Sequence, residues 1–372
     1  MKAVLMHKNI EVAVIDYQDG LISDVREILN RDHMPIGTYL PTMQREICSV
    51  YLQAWQRTRA IPMDRTNLPL VMETTGRDVF QLGMLAHGMG LTDQYWIRKG
   101  GESLMWEDVC FAKNGFEPSL LTLVGKGEAA ISPDYETNGS LPKSWILLDR
   151  VPILLKDSPD WLCTASANEV VASQLAKLAG IEHAEYFPLS INGKMLCASP
   201  CFVEGDQEEF VSLQMYLRTH RIASDIAAEQ MGLPEEFLQN MTAFDLMMGN
   251  TDRHEGNFGV MINPDTITYL RPAPLFDSGT SLHQWTGETD DFKPFWRSRA
   301  KALKQLGIHS LKFPSEQEIS RIVGSTYSIF GLQAYTQYAV DELCGNIKTL
   351  NNRELAAEFD FTYRKVEDDL CL

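Results

Sequence analysis

Three side chains in the C-terminal half have the types and spacing needed to hold a divalent cation. The segment "GNTDRHEGNFGV", residues 249–260, contains Asp252 and, after four intervening residues, Asn257. Asp277 follows a stretch that predicts a β-hairpin turning at residues 263–265. Mg²⁺ prefers such oxygen ligands, and phosphoryl transfer depends on positioning and charge neutralisation. These three side chains are therefore candidates for a metal-dependent phosphoryl-transfer site, although Asp and Asn are also ordinary turn formers.

A lysine and a glutamate upstream could supply and orient positive charge for a phosphate group. Lys156 ends the apolar run "VPILLK", and Glu169 lies in "SANEVVASQLAKLAG", whose spacing predicts a helix. Lys156 could contact phosphate or extend its side chain at a sheet edge. Glu169 could pair with Lys156, or it could complete a capping box with Ser166, three residues earlier.

A turn with one glycine precedes this lysine. The segment "TNGSLPKSW" contains Gly139, Ser140 and Lys143. Backbone N–H groups of glycine-rich turns can bind phosphate, but a single glycine is also typical of an ordinary hairpin turn. His254 suggests a metal ligand at first, yet a zinc-protease helix needs a second histidine four residues on, where this chain has Phe258. His254 is therefore predicted to orient its loop.

Around these residues the polar pattern predicts hairpins and loops. Polar or glycine-containing dipeptides between apolar runs predict hairpins that turn near residues 8–9, 149–150 and 192–193. Residues 91–111 are aromatic and rich in turn formers, and this composition predicts loops packed on a core.

Helices are predicted on both sides of this β-rich section. Residues 42–59 have helical periodicity, and the predicted apolar face carries Ile47, Val50, Tyr51 and Trp55. Residues 208–232 and 234–249 predict helices that lead directly into the polar segment. The fold class predicted from this pattern is α+β.

Composition limits the classes of protein that fit. The chain has 372 residues, 44% hydrophobic and 22% charged, which is typical of a folded chain of at least two domains. A formal charge of −17 argues against direct nucleic-acid binding, because phosphate affinity comes mostly from clustered Lys and Arg.

No apolar run approaches the length of a membrane span and no signal peptide is evident, so the expected location is the cytoplasm, without membrane contact. The seven cysteines lie singly and predict reduced thiols.

Taken together, "TNGSLPKSW", "ILLK", "NEVVASQLAKLAGI", "GNTDRHEGNFGV" and "PLFDSG" resemble the HipA-like serine/threonine kinases. The resemblance covers residues from about 130 to 345. It implies a two-lobed protein-kinase-like fold with a small β-rich lobe at 126–205 and a helical lobe at 206–372. Residues 1–125 match no family motif and form an additional N-terminal α/β section of unknown role.

The resemblance also implies roles for individual residues. Asp252 would be the base, Asn257 and Asp277 the magnesium ligands, and Lys156, oriented by Glu169, the contact to the ATP phosphates. The family's catalytic loop is further matched by Asn250 and His254, and its glycine loop by Gly139, Ser140 and Lys143.

The implied function is ATP- and Mg²⁺-dependent phosphorylation of serine or threonine on a protein, with autophosphorylation of the glycine loop at Ser140. The expected partners are a protein substrate and a regulatory protein. Two alternatives stay open: a lipid or small-molecule kinase on the same scaffold, and a non-catalytic nucleotide-binding regulator.

Overall fold

The computed structural model describes residues 1–158, 163–282, 303 and 311–351. The strands, numbered in chain order, are β1 (Lys2–His7), β2 (Ile10–Gln18), β3 (Leu21–Ile28), β4 (Tyr95–Lys99), β5 (Lys143–Leu148), β6 (Val151–Lys156), β7 (Phe187–Ile191), β8 (Lys194–Pro200), β9 (Glu209–Ser212), β10 (Gly259–Asn263) and β11 (Thr268–Pro272). The α-helices are α1 (Arg45–Arg59), α2 (Leu68–Thr75), α3 (Val79–Gly83), α4 (Trp106–Val109), α5 (Phe111–Asn114), α6 (Leu121–Val124), α7 (Ala165–Ala179), α8 (Leu213–Leu217), α9 (Ser224–Gln230), α10 (Glu235–Met248), α11 (Glu316–Ile329) and α12 (Thr336–Asn351). Short 3₁₀ helices span Met84–Ala86, Pro133–Glu136 and Gln333–Tyr335.

The chain divides into two compact units, each assembled from separate segments. The N-terminal unit consists of Met1–Leu155, Cys201–Gly232 and Gly259–Ala273, and the C-terminal unit consists of Lys156–Pro200, Leu233–Phe258 and Pro274–Leu372. Residues 1–125 and the turn at Gly139 thus belong to one unit. The division at residues 125 and 205 drawn from the sequence stays a prediction.

The N-terminal unit is built on an antiparallel sheet in the order β3-β2-β1-β4. Leu5 of β1 lies opposite Ala13 of β2 on one side and Ile97 of β4 on the other. These side chains share a buried core with Leu52 and Trp55 of α1. Fully burying one such large apolar side chain contributes about 1.5–3 kcal/mol, so this sheet and helix stabilise one another.

The helix predicted at residues 42–59 is present as α1, but of its predicted apolar face only Trp55 is buried. Ile47 and Val50 are 45% and 64% exposed, whereas Cys48 and Leu52 are fully buried. Polar residues share the buried face: the Gln56 side chain accepts a hydrogen bond from the Ile22 N–H at 2.8 Å and donates to the Gly20 carbonyl at 2.6 Å. A polar side chain such as Gln56 can be buried because it bonds to backbone groups. Apolar spacing alone therefore did not identify which side of the helix faces the core.

The hairpins predicted from short polar turns are confirmed. The turn between β5 and β6 places Asp149 and Arg150 at φ 49° and 68°, and the turn between β7 and β8 places Asn192 and Gly193 at φ 52° and 80°. Positive φ at both central residues is the geometry of the two-residue turn that matches the twist of antiparallel strands. The hairpin of β1 and β2 is confirmed as well.

Two strands replace elements predicted otherwise. Tyr95–Lys99, predicted as loop, is strand β4 and pairs with β1. Glu209–Ser212, predicted as the start of a helix, is strand β9 and pairs with β10 in the sheet ordered β11-β10-β9. Both strands are short and depend on a distant partner, which local sequence does not reveal.

In the C-terminal unit, polar contacts tie the long helices together. Tyr327 of α11 donates from its hydroxyl to the Asn168 Oδ1 of α7 at 2.7 Å. Asn346 of α12 donates from Nδ2 to the carbonyl of Met247 in α10 at 3.0 Å. Helix α10 thereby has a fixed place in the unit, and the polar segment follows it directly.

The sequence predicted reduced cysteines and no membrane-spanning segment. The six cysteines of the described residues are free thiols, and Cys371 lies outside the described residues. Over the parts of the chain that the structure describes, no helix combines the length and apolar character that a bilayer crossing needs.

The N-terminal unit contains a buried cluster of charged side chains, Arg59, Asp93 and Glu136. Glu136 lies three residues before Gly139 in the sequence. Arg59 donates to both carboxylate oxygens of Asp93, at 2.7 Å each, while its Nη1 lies 3.4 Å from Glu136 Oε2. Within the described residues, this Oε2 atom has no hydrogen-bond partner. Burial raises the pKa of Glu136 to about 7; the charge of Arg59 opposes this shift, and the negative charge of Asp93 adds to it.

This cluster predicts a stability that falls as pH rises. A folded-state pKa of about 7 against an ordinary 4.5 means that the folded chain binds the proton more tightly between these values. The stability that the protonated Glu136 contributes is therefore lost between about pH 4.5 and 7, by about 3 kcal/mol. Glu136→Gln should remove this loss, which urea denaturation at pH 5 and pH 8 measures.

Many other groups of the wild-type protein also titrate between pH 5 and pH 8. The test therefore compares the pH dependence of the free energy of unfolding between wild type and variants. Glu27→Gln changes an exposed glutamate of β3 and should leave the wild-type pH dependence intact. Identical pH dependence in wild type and Glu136→Gln would contradict the assignment to Glu136.

Candidate active site

The polar segment of the C-terminal unit is anchored by a buried asparagine. Helix α10 ends at Met248, and its C-cap residue Gly249 has the left-handed conformation with φ 63°. The next residue, Asn250, is fully buried and donates from Nδ2 to Asp245 Oδ1 at 2.8 Å. Its Oδ1 accepts from the Asp252 N–H at 3.1 Å and from the Thr280 hydroxyl at 3.3 Å. This burial supports a positioning role for Asn250, which the sequence grouped with the catalytic residues.

Asp252 is exposed on a backbone that is held from both sides. Its N–H bonds to Asn250, and its carbonyl accepts a hydrogen bond from Asn257 Nδ2 at 3.2 Å. Half-buried His254 accepts at Nδ1 from the Gly256 N–H at 3.0 Å, a contact that supports the predicted orienting role. The backbone around Asp252 is therefore held in place by the side chains of two neighbouring asparagines.

Lys156, at the end of β6, is bonded to three residues. Its Nζ lies 2.7 Å from Glu169 Oε1, 2.8 Å from Asp277 Oδ1 and 3.3 Å from the Tyr186 hydroxyl. Glu169 Oε2 accepts in turn from the Ser278 N–H at 2.8 Å. Three of the residues singled out by sequence thus meet, and Glu169 ties the lysine to the backbone beside Asp277.

These contacts decide between the two predictions for Glu169. Helix α7 begins at Ala165 with Thr164 as its N-cap, and no side chain caps it. The capping box of Ser166 and Glu169 is therefore wrong, since Ser166 lies inside the first turn and bonds the Ser158 hydroxyl. Local sequence cannot separate the two roles because a serine followed three residues later by a glutamate has capping-box spacing wherever the helix begins.

Electrostatics keep the lysine charged. Burial opposes the ammonium charge, but the carboxylates of Asp277 and Glu169 outweigh it and hold the pKa of Lys156 well above its ordinary value. Burial also raises the pKa of the Tyr186 hydroxyl, so that group stays a neutral donor or acceptor. The site therefore contains a fixed positive charge, as the binding of phosphate oxygens requires.

The two carboxylates that hold Lys156 differ in their access to solvent. The Glu169 side chain is 2% exposed, whereas that of Asp277 is 37% exposed. A hydrated cation can thus reach Asp277 but not Glu169. Asp277 also has φ 60°, a left-handed conformation in which only the surrounding contacts hold a non-glycine residue.

Asn257 and Asp277 carry side-chain oxygens of the kind that Mg²⁺ prefers. Because Asn257 Nδ2 donates to the Asp252 carbonyl, the amide orientation is fixed and Oδ1 is left as its acceptor. Mg²⁺ is usually held by one or two protein oxygens, with waters and phosphate oxygens completing its shell. Among the described residues, no cluster of three or more His, Cys, Asp or Glu could hold a metal ion by itself. The residues present therefore suit a cation that arrives with a nucleotide.

Gly139, Ser140 and Lys143 belong to the N-terminal unit. Gly139 has φ 99°, which favours glycine, and a Cβ there would lie 2.3 Å from Lys143 Nζ. Lys143 donates to the Asn138 carbonyl at 2.7 Å, and buried Arg65 donates to the Gly139 carbonyl at 3.0 Å. These contacts make the turn a defined structure rather than a loose connection.

Sequence reasoning missed Arg253 and Asp245. Arg253 is 3% exposed and pairs with both carboxylate oxygens of Asp245, at 3.0 and 3.1 Å. Both carry a faint signal: Asp245 is a charged residue on an otherwise apolar helix face, and Arg253 is flanked by predicted site residues. A buried ion pair explains both positions, since lone charges are seldom buried.

Comparison with known proteins shows the fold. The HipA of Shewanella oneidensis MR-1, from a structure of HipA, HipB and operator DNA of a toxin–antitoxin system, matches with TM-score 0.53 at 13% identity and covers 96% of this chain and 100% of that chain. The proinflammatory kinase CtkA of Helicobacter pylori matches with TM-score 0.40 at 15% identity, covering 58% of this chain and 93% of that chain. No family model and no curated protein matches the sequence.

The α+β, protein-kinase-like fold predicted from the sequence is thereby confirmed. The resemblance to HipA-like kinases holds at the level of the fold. It also extends beyond residues 130–345, on which it was based, because the match takes in nearly the whole chain, including most of residues 1–125.

Proposed function

We propose that this chain, which has a HipA-like kinase fold, transfers a phosphoryl group from ATP to a serine or threonine hydroxyl on a protein, with Mg²⁺. The observation that carries the proposal is the contact of Lys156 with both Glu169 and Asp277. A buried structural lysine needs one carboxylate for neutrality. A second, solvent-accessible carboxylate on the same ammonium group is expected where the lysine and that carboxylate exchange partners on binding a nucleotide with its cation.

Each residue would have a distinct task. ATP bound with Mg²⁺ would supply the phosphoryl group and offset the charge that develops during transfer. Lys156 would hold phosphate oxygens while Glu169 keeps its ammonium group in place. Asn257 and Asp277 would hold the cation. Asp252 would orient the acceptor hydroxyl and take its proton as the hydroxyl oxygen bonds to the γ-phosphorus and the bond from that phosphorus to the departing ADP breaks.

A protein acceptor and a regulatory partner are part of the same proposal. The similar HipA was solved together with HipB and operator DNA. A protein partner for this chain is proposed by analogy with that complex. The charge of −17 supports contact with protein rather than directly with DNA.

Transfer of labelled phosphate tests the function. The protein is incubated with γ-labelled ATP and mixed cell proteins, with Mg²⁺ or with EDTA, and label is followed on serine, on threonine and in the lipid extract. Label on protein hydroxyls that requires Mg²⁺ supports the proposal. Label in lipid alone favours a lipid kinase, and nucleotide binding without any transfer favours a regulator.

Autophosphorylation is expected at Ser140. Of the hydroxyls around Gly139, Thr137 and Ser144 are buried, whereas Ser140 is exposed and donates to Asp64 Oδ2 at 3.0 Å. A phosphate there adds close to two negative charges beside the Asp64 carboxylate, and the repulsion should displace the turn and lower ATP affinity. Mass spectrometry after incubation with ATP and Mg²⁺ should find about one phosphate per chain.

Asp252→Asn and Ser140→Ala are the controls for this modification. Neither variant should gain the phosphate on residues 137–144. Equal phosphate in wild type and Asp252→Asn would mean that another kinase attached it, and a phosphate on other residues would contradict the choice of Ser140.

A further inference from the structure

Arg253 uses every hydrogen-bond donor that it has. A guanidinium group carries five N–H donors. Two contact the carboxylate of Asp245, as described above. Nη2 also donates to the Ser278 hydroxyl at 3.3 Å, and Nη1 donates to the carbonyls of Asn257, at 2.9 Å, and Phe276. One buried, planar group thus joins a helix residue to two separate chain segments.

The hydrogen-bond acceptors of Arg253 outside helix α10 are the candidate metal ligand Asn257 and the two neighbours of the candidate ligand Asp277. Asn257 is itself a ligand candidate, bonded here through its backbone carbonyl. Phe276 and Ser278 are the residues on either side of Asp277. A rigid planar fork bonded to both segments restricts their separation more than a flexible lysine could.

We infer that Arg253 is a positioning residue that fixes the separation of Asn257 and Asp277 and thereby sets the affinity of the site for Mg²⁺. The inference rests on the proposed function, since it takes these two residues as the cation ligands. Mg²⁺ demands nearly ideal octahedral geometry, so small displacements of its ligands weaken binding. Loss of partners that orient ligands typically lowers metal affinity by about 10-fold to 100-fold.

If Arg253 only stabilised the fold, its loss would have a different effect from the one that the positioning role predicts. The paired contact with Asp245 would already neutralise the buried charge, and losing Arg253 would then lower the melting temperature without changing the cation requirement. The positioning role predicts a higher Mg²⁺ requirement in protein that is still folded.

The test is a Mg²⁺ titration of the thermal stabilisation that ATP gives. Arg253→Lys keeps the positive charge for Asp245 but has too few donors, in the wrong geometry, for both segments. Its Mg²⁺ midpoint should rise by about tenfold or more. Arg59→Lys is the matched control, because Arg59 is also buried and paired with both oxygens of a carboxylate, in the N-terminal unit. It should lower the melting temperature and leave the Mg²⁺ midpoint unchanged.

Ser278→Ala decides the matter if Arg253→Lys does not fold. It removes only the bond at 3.3 Å and keeps the Ser278 N–H that Glu169 accepts. Its Mg²⁺ midpoint should rise about twofold to fivefold. Wild-type midpoints in Ser278→Ala and in any folded Arg253→Lys would overturn the role of Arg253 and leave the proposed function standing. If ATP stabilises wild type equally with Mg²⁺ and EDTA, the metal site itself is wrong and the inference is withdrawn with it.

Discussion

Asp252→Asn should lower kcat by about 10²-fold to 10⁴-fold and leave ATP affinity within about threefold. Asp252 is exposed, and in the proposed function its carboxylate acts only as the acceptor hydroxyl loses its proton, so nucleotide binding should not need it. The segment around it is held through its backbone, by Asn250 Oδ1 and Asn257 Nδ2. Asparagine has the same shape as aspartate and leaves both contacts in place. Turnover and nucleotide affinity are measured by phosphate transfer and by titration calorimetry.

The control is an exposed aspartate in another turn. Asp149→Asn lies in the turn between β5 and β6 at φ 49°, where asparagine is at least as well accommodated. It should leave kcat unchanged. A folded Asp252→Asn protein with wild-type turnover would show that Asp252 is a turn residue only.

The two hairpins β5–β6 and β7–β8 were predictable because their signals are local. Asn192-Gly193 and the polar pair Asp149-Arg150 suit the positive φ that a two-residue turn needs. Strand β9 was not predictable in this way. Glu209–Ser212 is a strand because β10 pairs with it, and β10 lies about fifty residues later in the sequence.

The candidate site shows the same division. Asp252, Asn257 and Asp277 were singled out by the types and the spacing of their side chains, and their roles stay predictions. Arg253 escaped notice because its partners, Asp245 and the segment around Phe276, come together only in the folded chain. Motif spacing predicts which side chains act on a substrate. The side chains that position them, such as Arg253, are recognised only from burial and hydrogen bonds in the structure.

Lys156→Met should cause the largest combined loss of stability and activity. Removing the lysine leaves Glu169, at 2% exposure, as a buried carboxylate without its cation, whereas Asp277, at 37%, can be solvated. Removing one partner of a buried pair typically costs about 3–5 kcal/mol. Phosphate transfer should fall by at least about 100-fold, because the positive charge proposed to hold the ATP phosphates is lost along with the pair.

Adding Glu169→Gln to Lys156→Met separates these two losses. The neutral amide no longer needs a buried cation, and its oxygen can still accept from the Ser278 N–H, so most of the lost stability should return. Activity should not return, because the phosphate-binding charge is still missing. Lys194→Met is the matched control: its ion pair with Asp157 in the same unit involves a lysine that is 62% exposed, so stability should change by less than about 1 kcal/mol and turnover should be unaffected. Urea denaturation and phosphate transfer are measured on all four proteins, wild type included. If the double variant regained activity together with stability, Lys156 would serve folding alone, and the phosphate contact proposed for it would be wrong.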